Sequence, residues 1–346
     1  MSSLFSQEFE QEAIERIRKF ARLSEKMGFV PVLGFSGGKD SQVCYDLCKR
    51  SGIKFRAVFN HCFESPETLK FIREHYPDVE WRREVKQGFF ANIANNHNGL
   101  LPTAEMAFCC ADYKHNAKYV DEASIVGVRR QESAKRSKRK VLEAKNKTTL
   151  KKNAGDIYSF FDTNCVASGS PSEIQLKPIV DWSDDDVWIY IKEHNLPINP
   201  VYKYSRRVGC IICPKASFTS NYRNLLRFPK LIDCVIKAKS HNASGDLKIL
   251  KDGKDYSDNK PYYVCRWLNH SFRQFTKRQE ELCEKVISNY IKQKMKPGDK
   301  VETCEHCKYY DDGRNHCWYR NGDPDAEQTI FDYTEACEHY KRYDNQ

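Results

Sequence analysis

The stretch Phe29-Val-Pro-Val-Leu-Gly-Phe35-Ser36-Gly37-Gly38-Lys39-Asp40-Ser41 decides the reading of this chain. An apolar run of strand length leads into a Ser/Gly turn, and a helix-like stretch follows to about Arg50. Gly37 and Gly38 let the backbone approach an anion, and a helix N-terminus offers unpaired N–H groups and a favourable dipole. Ser36 and Ser41 add hydroxyls, Lys39 adds a point charge, and Asp40 suits a helix cap or Mg²⁺. A Walker A loop reads G-x-x-x-x-G-K-[ST]. Here Gly34 to Gly38 is one residue short of that spacing and Lys39 is followed by Asp40, so this is a different loop. The plain alternative is a Gly-Gly turn that merely joins a strand to a helix.

Working outward, residues 7–27 carry Phe9, Ala13, Ile14, Ile17, Phe20 and Ala21 at helical spacing. Ile53–Asn60, Val79–Val85 and Ser124–Val128 read as strands, and Pro66–Tyr76 as a helix. Alternation of strands and helices predicts an α/β fold, a parallel sheet with helices on both faces. In such sheets the ligand sits beyond the carboxyl ends of the strands, where residues 36–41 fall. Val141 to Ser172 is polar and reads as loop-rich. Asp181–Asn195 reads as a helix capped by Ser183, with Asp184, Asp185 and Asp186 suited to its N-terminus. A helical region from about Ser220 to Lys294 and a linker over Lys292–Lys300 precede a small cysteine-bearing tail. The expected organisation is 1–215 as the nucleotide-binding domain with a basic insertion at about 135–172, 216–295 as a helical extension, and 296–346 as a metal module.

A chain of 346 residues can bury a full core. Its start is polar and acidic and its apolar runs are of strand length, so no leader or membrane span is expected and the cytoplasm is the expected compartment. The net charge is +10, and nine Lys/Arg against the single acid Glu143 fall between Lys135 and Lys152. That run is either a solvated insertion or an electrostatic footprint for an anionic polymer such as DNA or RNA. No aromatic residue interleaves it, which weighs against a stacking surface there. Fifteen cysteines in a reducing compartment point to metal or redox chemistry rather than a disulfide framework.

Gly127-Val-Arg129-Arg130-Gln-Glu132-Ser133 follows a strand, and its arginines suit a second grip on a nucleotide or oxyanion. A surface ion-pair network is the alternative. With Ser36–Ser41, this stretch resembles the PP-loop ATP pyrophosphatases, in particular their phosphoadenylyl-sulfate (PAPS) reductase branch. That branch joins S-G-G-x-D-S to a later G-[IV]-R-x-x-E-S. It also carries P-[IL]-x-x-W-x-x-x-D-V-W, met here from Pro178 through Trp182 and Asp186 to Trp188. Phe63-Glu64-Ser-Pro66-Glu67-Thr68 is similar to the branch's F-E-F-P-E-T, but Asn60-His61-Cys62 stands where the branch has D-T-G. The resemblance covers about Val30 to Pro214. It implies that Ser36, Gly37, Gly38, Lys39, Asp40, Ser41, Gly127, Arg129, Arg130, Glu132 and Ser133 bind the nucleotide, with Lys39, Asp40, Arg129 and Arg130 catalytic.

Cys109-Cys110 and Cys210-Ile-Ile-Cys213 form two pairs. Adjacent cysteines are an awkward chelate for one zinc ion but suit a multi-iron cluster. Iron–sulfur-bearing adenylyl-sulfate reductases and enzymes of nucleic-acid thiolation resemble this arrangement, which implies Cys109, Cys110, Cys210 and Cys213 as [4Fe–4S] ligands. Zinc and free thiols are the alternatives. In the tail, Cys304-x-x-Cys307, Cys317 and Cys337 read as a small zinc module, with a second iron–sulfur site as competitor.

The reductases end in E-C-G-x-H, whereas this chain has Glu335-Ala-Cys337-Glu-His339, so their nucleophile is not expected here. The expected function is ATP binding with Mg²⁺ and cleavage to AMP and pyrophosphate. This would activate an acceptor for sulfur transfer or nucleic-acid modification, as in the related DNA phosphorothioation enzymes, with a sulfur-donor protein as a further partner. A sulfite-forming PAPS or adenylyl-sulfate reductase is the first alternative. A non-catalytic regulator that binds nucleotide and nucleic acid is the second.

Overall fold

The computed structural model describes residues 3–26, 28–83, 85–115, 122–134, 136–144, 174–239, 259–269 and 274–294, with backbone alone at 3–6, 26, 115, 122, 144, 174, 310–311 and 316–317. The chain divides into two compact units, Met1–Lys86 with Cys109–Cys210, and Gln87–Phe108 with Ile211–Gln346.

The first unit is built on a six-stranded, mostly parallel sheet. Its strands are β1 (Val30–Gly34), β2 (Arg56–Asn60), β3 (Glu80–Arg82), β4 (Glu122–Val126), β5 (Leu142–Ala144) and β6 (Ile174–Leu176), in the order β3-β2-β1-β4-β6-β5. Only β5 runs antiparallel, pairing Leu142 with Leu176 and Ala144 with Ile174. The polar, loop-rich stretch from Val141 opens with this three-residue strand, which the sequence does not single out. Three residues of an edge strand leave no alternation long enough to recognise. The order turns at β1, where β2 pairs on one side and β4 on the other. A crevice opens at such a reversal, beyond the strands' carboxyl ends.

Helix α1 (Ser3–Lys26) buries Ala13, Ile14, Ile17, Phe20 and Leu23, the stripe its spacing predicts. Helix α2 (Lys39–Ser51) follows β1 and sets Val43 and Leu47 into the same core as Leu33, Ala57, Phe59 and Ile125. Helix α3 (Pro66–His75) starts at Ser65, whose side chain accepts the Thr68 N–H at 3.3 Å, with Pro66 in the first turn.

The second unit is helical. It comprises α4 (Phe89–Asn96), α6 (Phe218–Arg227), α7 (Lys230–Lys239), α8 (Lys260–Leu268) and α9 (Lys277–Lys294). Helix α5 (Asp184–Glu193) belongs to the first unit. Ile93, Ile232, Val235, Val264 and Val286 are buried, as is Trp267, whose indole donates to the Pro102 carbonyl at 2.7 Å. Tyr310–Asp311 and His316–Cys317 pair antiparallel. Cys304, Cys307 and Cys337 lie outside the described residues, and of Cys317 only the backbone is described. Among the described residues no helix is long and apolar enough to cross a membrane.

Candidate nucleotide site and thiol cluster

The turn from β1 to α2 is fixed before any ligand arrives. Gly37 sits at φ +70°, a conformation that favours glycine, and a Cβ there would lie 3.1 Å from the Ile72 side chain. Gly38 caps α2 without a side-chain hydrogen bond, so apart from the Lys39 N–H, taken by Tyr202, no side chain caps the first-turn amides. Ser41 Oγ donates to the Gly38 carbonyl at 2.8 Å, lies 3.1 Å from Ser36 Oγ and accepts the Ser36 N–H at 3.2 Å. The Lys39 N–H donates to the Tyr202 hydroxyl at 2.8 Å, and burial pushes that phenol's pKa up. The carbonyl of Gly37 accepts from Gln42 at 3.1 Å and from Asn199 at 3.0 Å.

Gly127, just past β4, closes the other side. A Cβ on it would stand 2.7 Å from the backbone carbon and oxygen of Asp40, so glycine lets the strand end meet the first turn of α2. Arg129 is 3 % exposed. It donates from Nε to Asp40 at 2.5 Å and from Nη2 to Asp184 at 2.7 Å. Lys39 Nζ lies 3.2 Å from Asp40 and 2.8 Å from Asp184. Two buried cations thus face two carboxylates. Burial pushes the Asp184 carboxyl up, but hydrogen bonds and charge from Lys39, then Arg129, hold it below its ordinary value.

These groups line one cavity of about 620 Å³ within the first unit. Ser36, Gly38, Lys39, Asp40, Ser41, Gly127, Arg129, Glu132 and Ser133 all reach it. Arg130 is engaged elsewhere, paired with Asp181 and donating from Nε to the Arg139 carbonyl at 2.8 Å. Gly37 shapes the turn through its backbone and is not in the cavity lining.

Sequence reasoning missed three contributors. Asp184 reads as an ordinary first-turn acid, but Ser183 and Asp186 already form the capping box of α5, which releases Asp184 toward Lys39. Asn199 is fully buried and ties Gly37 to Thr68, to which it donates at 3.3 Å. Tyr202 follows it on a short 3₁₀ turn, Pro200–Lys203. Contacts across more than 130 residues leave no local sequence signal.

A second constellation gathers thiols. Glu64 and Cys210 share an isolated antiparallel bridge. Glu64 accepts the Cys62 N–H at 2.9 Å and the Lys114 ammonium at 3.0 Å, and Lys114 lies 3.6 Å from Cys210 Sγ. The Cys62 thiol donates to Cys210, which raises the first thiol's pKa and lowers the second's; the Lys114 charge lowers Cys210 further. A thiolate at Cys110 would oppose ionisation of Cys210, and burial, then Cys62 and to a lesser extent Cys109, push the Tyr113 phenol up. Cys62, at the departure from the family's D-T-G, is therefore a member of this cluster. Cys213 belongs to the second unit, where Asn221 bonds its backbone N–H and carbonyl, each at 2.9 Å. The donor set is soft and Cys210 is held toward the thiolate that a metal ligand must be, chemistry that zinc and an iron–sulfur cluster share. Among the described residues no three His, Cys, Asp or Glu side chains converge as a ready chelate.

A profile of the phosphoadenosine phosphosulfate reductase domain matches residues 30–216, more than half of the chain. The chain belongs to this family. It is similar to sulfate adenylyltransferase subunit 2 of Bacteroides fragilis, 25% identical over 211 residues, covering 58% of this chain and 67% of that protein. It is also similar to adenosine 5'-phosphosulfate reductase of Lysinibacillus sphaericus, 26% identical over 197 residues, covering 54% of this chain and 75% of that protein. Among solved structures it matches the phosphate complex of phosphoadenylyl-sulfate (PAPS) reductase from Candida auris. That match is 13% identical, covers 61% of this chain and 96% of the other, and has a TM-score of 0.39. Membership places the chain among nucleotide-utilising, sulfur-related proteins.

Proposed function

We propose that the cavity binds ATP and that the chain cleaves it to AMP and pyrophosphate, activating an acceptor for sulfur transfer or nucleic-acid modification. The observation that carries this reading is the pairing of Lys39 and Arg129 with Asp40 and Asp184 beside a helix N-terminus that Gly38 leaves without a side-chain cap. The Ser36–Ser41 turn holds the departing pyrophosphate through backbone N–H groups and the two hydroxyls. Lys39 and Arg129 exchange their carboxylate partners for phosphate oxygens and stabilise the charge that develops there. An acceptor oxygen bonds to the α-phosphorus while the bond to the bridging oxygen breaks, and the electron pair leaves with pyrophosphate. Asp40 and Asp184, released from the cations, are the groups that would hold Mg²⁺, which when bound supplies charge neutralisation between phosphates.

Cys109, Cys110, Cys210 and Cys213 would hold a [4Fe–4S] cluster, which when bound supplies soft iron sites for sulfur. Cys304, Cys307, Cys317 and Cys337 would hold zinc. The acceptor on this reading is a nucleic acid, with a separate protein as sulfur donor.

The test is product analysis with α-labelled ATP and Mg²⁺ on anaerobically purified protein, with and without tRNA or DNA. Labelled AMP with pyrophosphate, lost in Lys39→Ala and in Arg129→Ala, is expected. Absence of AMP under every condition refutes the reading. A second reading, reduction of a sulfonucleotide, is favoured by the likeness to an adenosine 5'-phosphosulfate reductase. Sulfite release from adenylyl sulfate without added ATP would establish it.

A further inference from the structure

The cations of the phosphate turn are balanced, but another part of the same cavity lining is not. Arg206 and Arg207 line the cavity from the segment after the 3₁₀ turn, and both are exposed. Among the described residues neither forms an ion pair or a side-chain hydrogen bond. Their backbone is pinned instead, with Ser205 Oγ donating to the Arg207 carbonyl at 2.8 Å and accepting the Arg207 N–H at 3.3 Å. Lys203-Tyr-Ser-Arg-Arg207 contains no acid. A third guanidinium, Arg136, reaches the cavity from a separate segment and pairs with Glu132. Burial, then the charges of Arg207 and Arg139, lower its pKa. Like charges are thus gathered at the cavity from two segments far apart in sequence, and Glu132 answers only one of them. An anion is the missing partner.

We propose that Arg136, Arg206 and Arg207 form a phosphodiester site that seats a nucleic-acid acceptor at the nucleotide cavity. The inference rests on the ATP-activation reading above. The nucleotide's own phosphates have the turn amides, the two serines, Lys39 and Arg129. The exposure of Arg206 and Arg207 favours a strand running past the opening over a second phosphate inside it. Positive charge also continues outward from Arg136 along the exposed turn through Lys138. A polyanion matches such a track, because each phosphate contact releases condensed counterions.

The experiment uses the full chain with a fluorescein-labelled 20-nucleotide single-stranded RNA and the DNA of the same sequence, read by anisotropy from 50 to 300 mM KCl. A non-cleavable ATP analogue is titrated in parallel. Replacing both residues (Arg206→Ala, Arg207→Ala) should weaken oligonucleotide binding about tenfold or more. It should also flatten the log–log salt dependence by about 1 to 2 contacts. Lys at both positions should recover most of the affinity, since the charge survives. The analogue should lose far less affinity than the oligonucleotide. Unchanged oligonucleotide binding overturns the proposal, and so does an equal loss for the analogue, which would assign the arginines to the nucleotide itself. Absence of AMP formation with intact, arginine-dependent oligonucleotide binding would sink ATP activation and leave the phosphodiester site standing.

Discussion

Gly127→Ala tests the packing that builds the nucleotide cavity. The new methyl would stand 2.7 Å from the carbon and oxygen of the Asp40 peptide and 3.1 Å from the Ser41 nitrogen, where ordinary contact begins at 3.4 Å. The shortfall is therefore about 0.7 Å against main chain, which no rotamer change relieves. Either the end of β4 or the first turn of α2 must move by a comparable amount. Overpacking of this kind costs about 1–3 kcal/mol. For a unit of this size each kcal/mol lowers the melting temperature by about 2–4 °C, so a loss of about 4–8 °C is expected at the middle of that range. The same displacement shifts Asp40 relative to Arg129 and disturbs the turn amides, so ATP affinity should fall about tenfold or more. Gly209→Ala is the matched control, since nothing lies within 4 Å of a Cβ there. Thermal denaturation and calorimetric titration with ATP read both effects. A Gly127→Ala protein that melts within a degree of the parent and binds ATP equally well would refute the packing argument.

Further outcomes follow from the same geometry. Asn199→Ala should destabilise the protein by about 1–3 kcal/mol, since it leaves the Gly37 carbonyl without its buried Asn199 donor; chemical denaturation measures it. The Asp184 carboxyl is held below its ordinary value of 3.8, so its contribution is present above that pH and is lost as pH falls through the lower folded value. Glu10 and Glu143 are held low in the same sense, Glu10 by Arg50 and His194 and Glu143 by the Lys140 N–H and Lys177, each against the upward push of burial. Melting temperature should therefore hold steady from pH 7 to about 5 and drop below about pH 4. Asp184→Asn should show a slightly smaller drop, because that side chain is more than half exposed and solvent screens it. An equal or steeper acid loss in that variant would count against the assignment.

The central fold was legible because it rests on local pattern. The apolar run before Ser36, the glycines after it and the stripe of α1 each carry their meaning within a dozen residues. Gly127 through Ser133 was legible by resemblance, and most of it does reach the cavity. Arg130 was expected beside Arg129 and instead pairs with Asp181, because adjacent residues in an irregular segment need not face the same way. Strand β5 was too short to leave a period. Asn199 and Asp184 act on the loop from more than 140 residues away, through side chains whose local sequence reads as a turn and a helix cap. Cys62 was noticed only as a departure from D-T-G, since nothing in sequence brings it to Cys210.

The ion quartet explains how a strongly cationic site can exist without its ligand. Lys39 and Arg129 are almost fully buried, and two unpaired buried cations would repel each other and lose their hydration together. Asp40 and Asp184 remove that cost. They also compete with any phosphate for the same donors, so a ligand binds only if it replaces both carboxylates at once. A single phosphate group offers too few oxygens to satisfy Lys39, Arg129 and the turn amides together, whereas a polyphosphate spans them. If the cavity binds ATP as proposed, the site should therefore select a chain of phosphates over inorganic phosphate or sulfate. Asp184→Asn removes one competitor without touching a donor, so it should tighten inorganic phosphate more than ATP and narrow the ratio between them. A calorimetric comparison of the two ligands decides it: an unchanged ratio would mean that the carboxylates balance charge but do not discriminate.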